Sequence, residues 1–266
     1  MRWLPSVTLV VALCGPVHGA GEARHRASPF ALDPWVDGTA MALGLTLWIG
    51  APLMLNDTRA TCDPCDPREL NALDRPVIHF RNERADTAGD VLVVAIPTLA
   101  AAGTLLGKPR WGMSGVAQDV VLIAESMVLA GAVTQIVKLG VRRARPYMYE
   151  AGARPDERGK AGATLSFFSG HSASAFSAAT AFAYTFSVRH PRSNLRPLVW
   201  LAALVAASTV PVMRVASGEH FWTDVMVGAV VGGGVGILVP ALHRRASTSS
   251  VRMQLTPTWA GLTGSF

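Results

Sequence analysis

Apolar residues in this chain are grouped into long runs and do not recur with the period of an amphipathic helix. Six of these runs approach the roughly 20 residues that an α-helix needs to cross a bilayer. They cover residues 38–56, 90–107, 116–138, 171–188, 197–215 and 222–242. The pattern therefore predicts an all-α, polytopic membrane bundle of about six helices. The run at 90–107 is short for a span and depends on its flanking residues.

Polar segments divide the chain into four parts. Residues 1–20 precede the first run, residues 21–86 hold a lead-in, the first apolar helix and a cysteine-containing loop, and residues 87–243 form the core. Residues 244–266 form a polar tail that alternates weakly from Val251 to Leu262, as one strand would. A single strand cannot close a barrel. We therefore expect the tail to be an appendage.

The N-terminal residues 1–20 resemble a signal peptide or an N-terminal anchor. Arg2 precedes an apolar stretch at 4–13, and the small residues Gly19 and Ala20 suit cleavage. Cys14 raises the alternative of a lipoprotein, but Leu13 before it is bulkier than the small residue expected there. The segment predicts a bacterial-type envelope location or a secretory route.

Two cysteines, Cys62 and Cys65, lie three positions apart in the first long polar loop. A zinc site would need further ligands from a second pair, which the sequence lacks. A redox-active pair would be expected within a strand–helix pattern, which is also missing. A local disulfide in an oxidising compartment is the favoured interpretation.

The net charge of +6 is concentrated in loops between the apolar runs. No basic stripe is interleaved with aromatic residues, so the sequence gives no reason to expect a nucleic-acid partner. Short loops rich in Lys and Arg mark the cytoplasmic side of a membrane protein. Such cations cluster on one side at Lys108, Arg110, Arg189, Arg192, Arg196, Arg244 and Arg245. The long loops 57–89 and 139–170 are then expected to face the periplasm.

One conflict stays open in this topology. A cleaved signal would leave the mature N-terminus outside, and a true span at 38–56 would then place the long loops in the cytoplasm. Either the signal is retained as an anchor, or one early apolar run does not cross the membrane.

Three stretches at the ends of apolar runs carry the residue types of a phosphate-handling site: 138–146, 169–171 and 214–224. Lys138, Arg145 and Arg214 offer cations for a phosphoryl group, and arginine suits bidentate phosphate contacts. Ser169 offers a hydroxyl. Gly170 offers an unobstructed N–H at a helix start, where negative charge is favoured.

Two histidines and a carboxylate complete this set. If His220 and Asp224 lie on one helix, their spacing of four residues places them on the same face. Asp224 would then orient the imidazole of His220 as a nucleophile. His171 would protonate the leaving oxygen and later activate water. This chemistry requires no metal and no organic cofactor.

Two features of the apolar runs concern helix packing. Glycines of the last run let membrane helices approach closely; they are Gly228, Gly232, Gly233, Gly234 and Gly236. The third run contains Asp119, Glu125 and Gln135. Ionisable groups inside a membrane indicate function or interhelical hydrogen bonds, and both readings stay open for Glu125.

The three stretches together resemble the signature of the type-2 phosphatidic acid phosphatase superfamily. The resemblance covers roughly residues 87–243 and rests on Lys138-x6-Arg145-Pro146, Ser169-Gly170-His171 and Arg214-x5-His220-x3-Asp224. This group includes membrane lipid phosphatases, soluble bacterial acid phosphatases and vanadium-dependent haloperoxidases.

The resemblance implies roles for individual residues. His220 would form a phosphohistidine, Asp224 would orient it, and His171 would serve as the acid. The phosphate would be held by Lys138, Arg145, Ser169, Gly170 and Arg214. Phe168 stands where the family usually has Pro, and Met213 stands where it usually has Ser. Met213 removes a hydroxyl, which puts the fine placement of Arg214 in question.

These observations favour a metal-independent lipid phosphatase in the bacterial inner membrane, with its active site facing the periplasm. Its substrate would be a lipid phosphate or diphosphate, and no obligate protein partner is inferred. One alternative is a vanadate-dependent haloperoxidase, which we would expect to be soluble. Another is a non-catalytic membrane binder or transporter of anionic lipid, which would tolerate loss of His220.

Overall fold

The computed structural model describes residues 28–50, 62, 65–150 and 162–245, together with two short strands in the tail. These ranges contain six α-helices, and each predicted apolar run overlaps one of them; the runs 38–56 and 90–107 continue past their helices into a π-helical turn and a 3₁₀ segment. The helices are α1 (Pro34–Leu45), α2 (Glu83–Gly103), α3 (Lys108–Val141), α4 (Gly170–Arg189), α5 (Arg196–Ala216) and α6 (Trp222–Leu242). The all-α class is therefore confirmed. The predicted signal or anchor at 1–20 lies outside the described residues.

Capping residues set the starts of the early helices. Asp33 accepts hydrogen bonds from two N–H groups of α1, and Pro34 occupies the first helical position. α1 continues as one π-helical turn at Thr46–Gly50. Asn82 caps α2 by accepting from the N–H of Ala85, so α2 begins seven residues before its apolar run. Short 3₁₀ segments lie at Pro67–Glu69, Arg75–His79, Thr104–Gly107 and Pro146–Tyr149.

α4 lies at the centre of the bundle and packs against α2, α3, α5 and α6. Its tightest contact is with the glycines of α6. A Cβ atom on Gly228, Gly232 or Gly236 would lie 2.5, 2.2 or 2.3 Å from a backbone carbonyl oxygen of α4 or its N-cap. Those carbonyls belong to Ser169, Ala173 and Ser177. The close helix approach predicted from these three glycines is confirmed.

Four helical segments in the described residues are long and apolar enough to cross a membrane: Glu83–Gly107, Arg110–Tyr149, Arg196–Ala216 and Trp222–Leu242. The central helix α4 is not among them, because it contains many small polar residues. Its buried hydroxyls bond back to helix carbonyls, as Thr180 does to Phe176 at 2.8 Å. The chain is a multi-pass membrane protein.

The helices alternate in direction between two ends of the bundle. α3 and α5 end where α2, α4 and α6 begin, and we call this the site end. At the opposite end, the far end, Phe30 forms a β-bridge with Arg244 just before α1 begins. α1 therefore runs from the far end towards the site end.

Arg189 was expected to be a membrane-flanking cation, and the structure corrects this expectation. Its side chain is buried at the far end, where Nε lies 2.6 Å from Oδ2 of Asp119 on α3. Asp119 therefore has an interhelical role, because a charge inside the bundle needs a partner.

The tail forms a small antiparallel hairpin of β1 (Arg252–Thr256) and β2 (Trp259–Thr263). The expectation of one strand over 251–262 is wrong in this respect. A lone strand would leave its backbone N–H and C=O groups unpaired, and a second strand supplies their partners.

Candidate active site

The three predicted stretches converge at the site end of the bundle. Lys138 lies in the last turn of α3, Ser169 is the N-cap of α4, and Arg214 lies in the last turn of α5. The N–H of Ser169 donates to the carbonyl of Asp224 at 3.1 Å, which joins the second and third stretches directly. A Cβ on Gly170 would lie 4.0 Å from the Lys138 Nζ, which brings the first stretch to the same place.

The turn between α5 and α6 positions His220. Gly218 has a positive φ of 74°, and a Cβ there would lie 2.0 Å from the carbonyl oxygen of Phe80, so only glycine fits. The chain then folds back, and the N–H of His220 donates to the carbonyl of Arg214 at 3.2 Å. The backbone itself therefore links the cation Arg214 to the imidazole.

His220 and Asp224 are close, but their arrangement differs from the one predicted. His220 precedes α6, which begins at Trp222, so the two residues do not share a helix face. Instead, Asp224 accepts from the N–H of Phe221 at 3.1 Å and caps the helix start. His220 Nδ1 lies 3.7 Å from Asp224 Oδ2, beyond hydrogen-bond distance.

Ser166 lies between these two residues and was missed by sequence reasoning. Its hydroxyl donates to Asp224 Oδ2 at 2.6 Å and lies 3.5 Å from His220 Nδ1. Nδ1 is therefore the ring nitrogen that faces Ser166 and Asp224, and Nε2 points to the other side. A serine in a loop carries no sequence signal for such a role, because loop serines usually face water.

Arg143 was also missed, although it lies between the predicted cations Lys138 and Arg145. Its Nη1 contacts Asp224 Oδ1 at 2.5 Å and Thr223 Oγ1 at 2.7 Å, while its Nη2 contacts Asp74 Oδ2 at 2.9 Å. The guanidinium carbon lies 4.3 Å from the centre of the Phe221 ring. Arg143 thus bridges two buried carboxylates.

Asp74 comes from the first long polar loop and extends the network. It accepts from the N–H and the hydroxyl of Thr223 at 3.1 and 2.6 Å. Burial alone would raise the pKa of Asp74, but hydrogen bonds from Thr223 and Arg143 outweigh it and lower the pKa. Asp74 is therefore an anion that fixes the start of α6. An aspartate in a polar loop gave no sign of this contact in the sequence.

The same loop carries Cys62 and Cys65, which are joined by a disulfide. The N–H of Cys65 donates to the carbonyl of Met148 at 3.0 Å, just beyond the first stretch. The cysteine loop therefore lies at the site end, on the side where it was expected.

Arg145 and Arg214 point towards each other across a carboxylate. Arg145 donates from Nε to the carbonyl of Gly162 at 3.0 Å and forms a short ion pair with Glu219. Arg214 Nη2 lies 3.7 Å from the same carboxylate. Glu219, which the sequence gave no reason to single out, therefore lies between two cations expected to hold phosphate.

Carboxylates of α2 fix the position of Arg214. Its Nη1 lies 2.8 Å from Asp86 and 3.0 Å from Asp90. A Cβ on Gly89 would lie 2.9 Å from Arg214 Cδ, so this glycine leaves the space for the arginine. These contacts from α2 position Arg214 although Met213 replaces the serine usual at that place in the family.

His171 lies in the first turn of α4, next to Arg214. Its Nε2 is 2.9 Å from Asp90 Oδ1, the oxygen that Arg214 also contacts. Ser169 is buried and its hydroxyl accepts from the N–H of Ser172 at 3.4 Å, which leaves its own proton to donate.

Electrostatics make His220 a neutral imidazole. Burial, followed by the positive charges of Arg145, Lys138 and Arg214, lowers the pKa of His220 well below its usual 6.5. A neutral ring beside three cations retains a lone pair that can attack phosphorus. The cations suit the charge of a transferring phosphoryl group.

Comparison with known proteins supports the resemblance read from the motifs. The model of the PAP2 superfamily matches residues 119–247, which include all three motif stretches. Over this segment the chain is similar to the PAP2 superfamily, and the resemblance read from the motifs is confirmed.

Comparisons with individual proteins add little. A solved structure, the transmembrane PAP2-type phosphatidylglycerolphosphate phosphatase from Bacillus subtilis, is similar at 19% identity with a TM-score of 0.46. The similarity covers 77% of this chain and 94% of that one. It is too distant to bear on function. Among curated proteins, none matches the chain.

Proposed function

We propose that this chain is a membrane phosphatase that releases phosphate from a lipid phosphate or diphosphate through a phosphohistidine intermediate. The observation that carries the proposal is the buried, neutral imidazole of His220 beside Lys138, Arg145 and Arg214. Its chemistry requires no metal, because these three cations supply the positive charge.

In the first step, His220 Nε2 attacks phosphorus and forms an N–P bond, while the bond from phosphorus to the lipid oxygen breaks. Burial and the charge of Arg214 lower the pKa of His171 to about 4 in the free site, so His171 takes up its acid proton together with the negatively charged phosphate. It gives that proton to the lipid oxygen, and the lipid leaves as a neutral alcohol or as a monophosphate. In the second step, water attacks phosphorus and the N–P bond breaks, with its electron pair returning to His220 Nε2. His171 accepts a proton from that water, and inorganic phosphate is released.

The surroundings of His171 favour a lipid as the leaving group. Asp90, its hydrogen-bond partner, lies at the edge of a groove of about 500 Å³ along α2, which is also lined by Thr87, Val91, Val94 and Ala95. Val91 and Val94 are exposed on the bundle surface, where acyl or prenyl chains lie in a membrane. A tail in this groove would place its head group beside His171.

The test is phosphate release by the purified protein from a panel of lipid phosphates and diphosphates in the presence of EDTA. We expect turnover by the wild-type protein and a loss of at least about a thousandfold in His220→Ala, since nucleophile removal costs this order in comparable enzymes. His79→Ala, an exposed histidine at the same end, is the matched control and should retain activity. Full activity of His220→Ala would overturn the proposal.

The role of His171 has a separate test. The p-nitrophenolate of p-nitrophenyl phosphate is a good leaving group that does not need a proton. His171→Ala should therefore lose much less activity on this ester than on a lipid phosphate. Equal losses on both substrates would remove His171 from the acid role.

The same variants distinguish the alternative functions. A lipid transporter would move or bind anionic lipid equally well with His220→Ala and would release no phosphate. A haloperoxidase would oxidise halide with peroxide only when vanadate is added. Phosphate release without vanadate, lost in His220→Ala, supports the phosphatase over both.

We further propose that the site end faces the periplasm of a bacterial inner membrane. Cations at the far end support this orientation, since Lys108, Arg110, Arg192 and Arg196 lie there. Phe30 also lies at the far end, which would place it in the cytoplasm, and this is incompatible with export of the chain behind a cleaved signal. Single cysteines introduced by His79→Cys or Ser193→Cys test this with a membrane-impermeant thiol reagent added from the periplasmic side. We expect labelling of His79→Cys alone, and labelling of Ser193→Cys alone would show the opposite orientation.

A further inference from the structure

A second cluster of ligating side chains lies at the far end, remote from the phosphate-handling residues. Asp37 of α1, Glu125 of α3 and His243, which follows α6, each direct one donor atom to a common point. The three donor atoms all lie within 4.8 Å of one another. We call these three residues the far-end cluster.

The donor atoms of this cluster have the separations expected around one metal ion. His243 Nε2 lies 3.0 Å from Asp37 Oδ1 and 3.6 Å from Glu125 Oε2. Bonds of about 2.0–2.2 Å in a tetrahedral zinc site separate neighbouring donors by roughly 3.2–3.6 Å. Two of the three separations thus lie close to this range without rearrangement.

Outer hydrogen bonds already hold two of the ligands in binding orientation. The Nδ1–H of His243 donates to the carbonyl of Val239 at 2.8 Å, which leaves the lone pair of Nε2 directed at the carboxylates. Asp37 Oδ2 accepts from the N–H of Asp33 at 2.8 Å, which leaves Oδ1 for the cluster. Metal-binding histidines and carboxylates typically have such support.

The buried carboxylate of Glu125 supports a cation site independently of these distances. Its side chain is 4% exposed, and its Oε2 has no hydrogen-bond partner among the described residues. A buried carboxylate oxygen without a partner is costly, because it loses its hydration and gains nothing in return. A cation between Oε2 and Nε2 would supply the missing interaction.

Charge balance favours a divalent cation over a proton. Within the described residues, the ion pairs of Asp37 and Glu125 are both with His243. With both carboxylates ionised, a single proton on His243 leaves a net charge of −1 in a largely buried site, whereas a divalent ion with neutral His243 leaves none. Imidazole as a ligand selects a first-row transition ion such as Zn²⁺ over Mg²⁺ or Ca²⁺.

We propose that Asp37, Glu125 and His243 bind one divalent transition-metal ion that joins α1 to α3 and to the end of α6. The site is structural in position, because it lies at the opposite end of the bundle from His220. A fourth coordination position would be filled by water.

The test uses the full-length protein in detergent, stripped with EDTA, freed of chelator and titrated with Zn²⁺. We expect one tightly bound zinc per chain after gel filtration and a higher unfolding temperature with zinc than without. Glu125→Gln and His243→Gln should each weaken zinc binding at least about tenfold. His190→Gln is the matched control, because His190 also ends a helix at the far end and contacts a carbonyl four residues earlier; it should keep its zinc.

A measurement on the wild-type protein tests metal binding without the risk that a variant is misfolded. Co²⁺ bound in the cluster should give the visible absorption of a low-symmetry, four-coordinate ion, and Zn²⁺ should displace it. The proposal would be overturned if the wild-type protein bound no zinc, or if zinc binding were unchanged in both Glu125→Gln and His243→Gln. A proton would then be the cation shared by the far-end cluster. His220→Ala should keep its zinc and lose phosphate release. Failure of the metal-site proposal can therefore be distinguished from failure of the proposed function.

Discussion

Replacement of Arg143 by lysine tests whether the network behind the imidazole controls the chemical step. Arg143 makes two contacts at 2.5 and 2.7 Å with one nitrogen and a third at 2.9 Å with the other, and so bridges Asp224 to Asp74. Lysine keeps the charge but offers a single ammonium group, which cannot reproduce this fork. Both carboxylates are fully buried, whereas the arginine side chain is 20% exposed.

The expected size of the effect follows from the bonds lost. A hydrogen bond between charged groups contributes about 1.5–3 kcal/mol, and about 1.4 kcal/mol corresponds to tenfold in rate. Loss of one such bond at Asp224 therefore lowers kcat by about ten- to a hundredfold. Among the described residues, Arg143 contacts none of the cations proposed to hold phosphate, so KM should change by less than about threefold.

The assay is the initial rate of phosphate release in mixed micelles, with the surface concentration of lipid phosphate varied to separate kcat from KM. Arg68→Lys is the matched control, because Arg68 pairs with Asp66 on the surface and is 90% exposed. Unfolding temperatures of both variants show whether the protein remains folded. If Arg143→Lys raised KM and left kcat unchanged, Arg143 would contact substrate and the positioning argument would be refuted.

Two further predictions concern His220 and the contact between α4 and α6. The lowered pKa of His220 keeps its ring neutral at acidic pH. The NMR signal of its labelled imidazole, assigned by its loss in His220→Ala, should therefore titrate well below pH 6.5. A midpoint at pH 6.5 or above would contradict this. Gly232→Ala should lower the unfolding temperature, because its Cβ would lie 2.2 Å from the carbonyl oxygen of Ala173, at a cost of about 1–3 kcal/mol or more. A Cβ on Gly234 would have no atom within 4 Å, so Gly234→Ala should leave the unfolding temperature unchanged or raise it. Equal decreases in unfolding temperature in both variants would refute the packing argument.

The helices were predictable from the sequence because apolar runs of bilayer length have few alternatives in a membrane. Their starts were less predictable, since α2 begins where Asn82 caps it and not where its apolar run begins. The hairpin in the tail was read as one strand, because its weak alternation gives no sign of a second strand.

The motif residues could be found because their types and spacing are specific, and the structure brings them together. The geometry between them could not. A spacing of four residues predicts a shared helix face only if both residues are helical, and His220 lies before α6. Contacts of Arg143 with Asp74 and of Ser166 with Asp224 join residues 69 and 58 positions apart, a distance that no local pattern encodes.

Glu219 has a consequence for the exchange of ligands in the pocket. Its carboxylate pairs with Arg145 and lies 3.7 Å from Arg214, which Asp86 and Asp90 also contact, so both arginines have anionic partners. If the pocket binds phosphate as proposed, the incoming phosphate displaces an anion already in place, which weakens its net binding. By the same exchange, inorganic phosphate would depart as Glu219 returned to the arginines. The product of the proposed reaction would then not be trapped by the charges that hold the substrate.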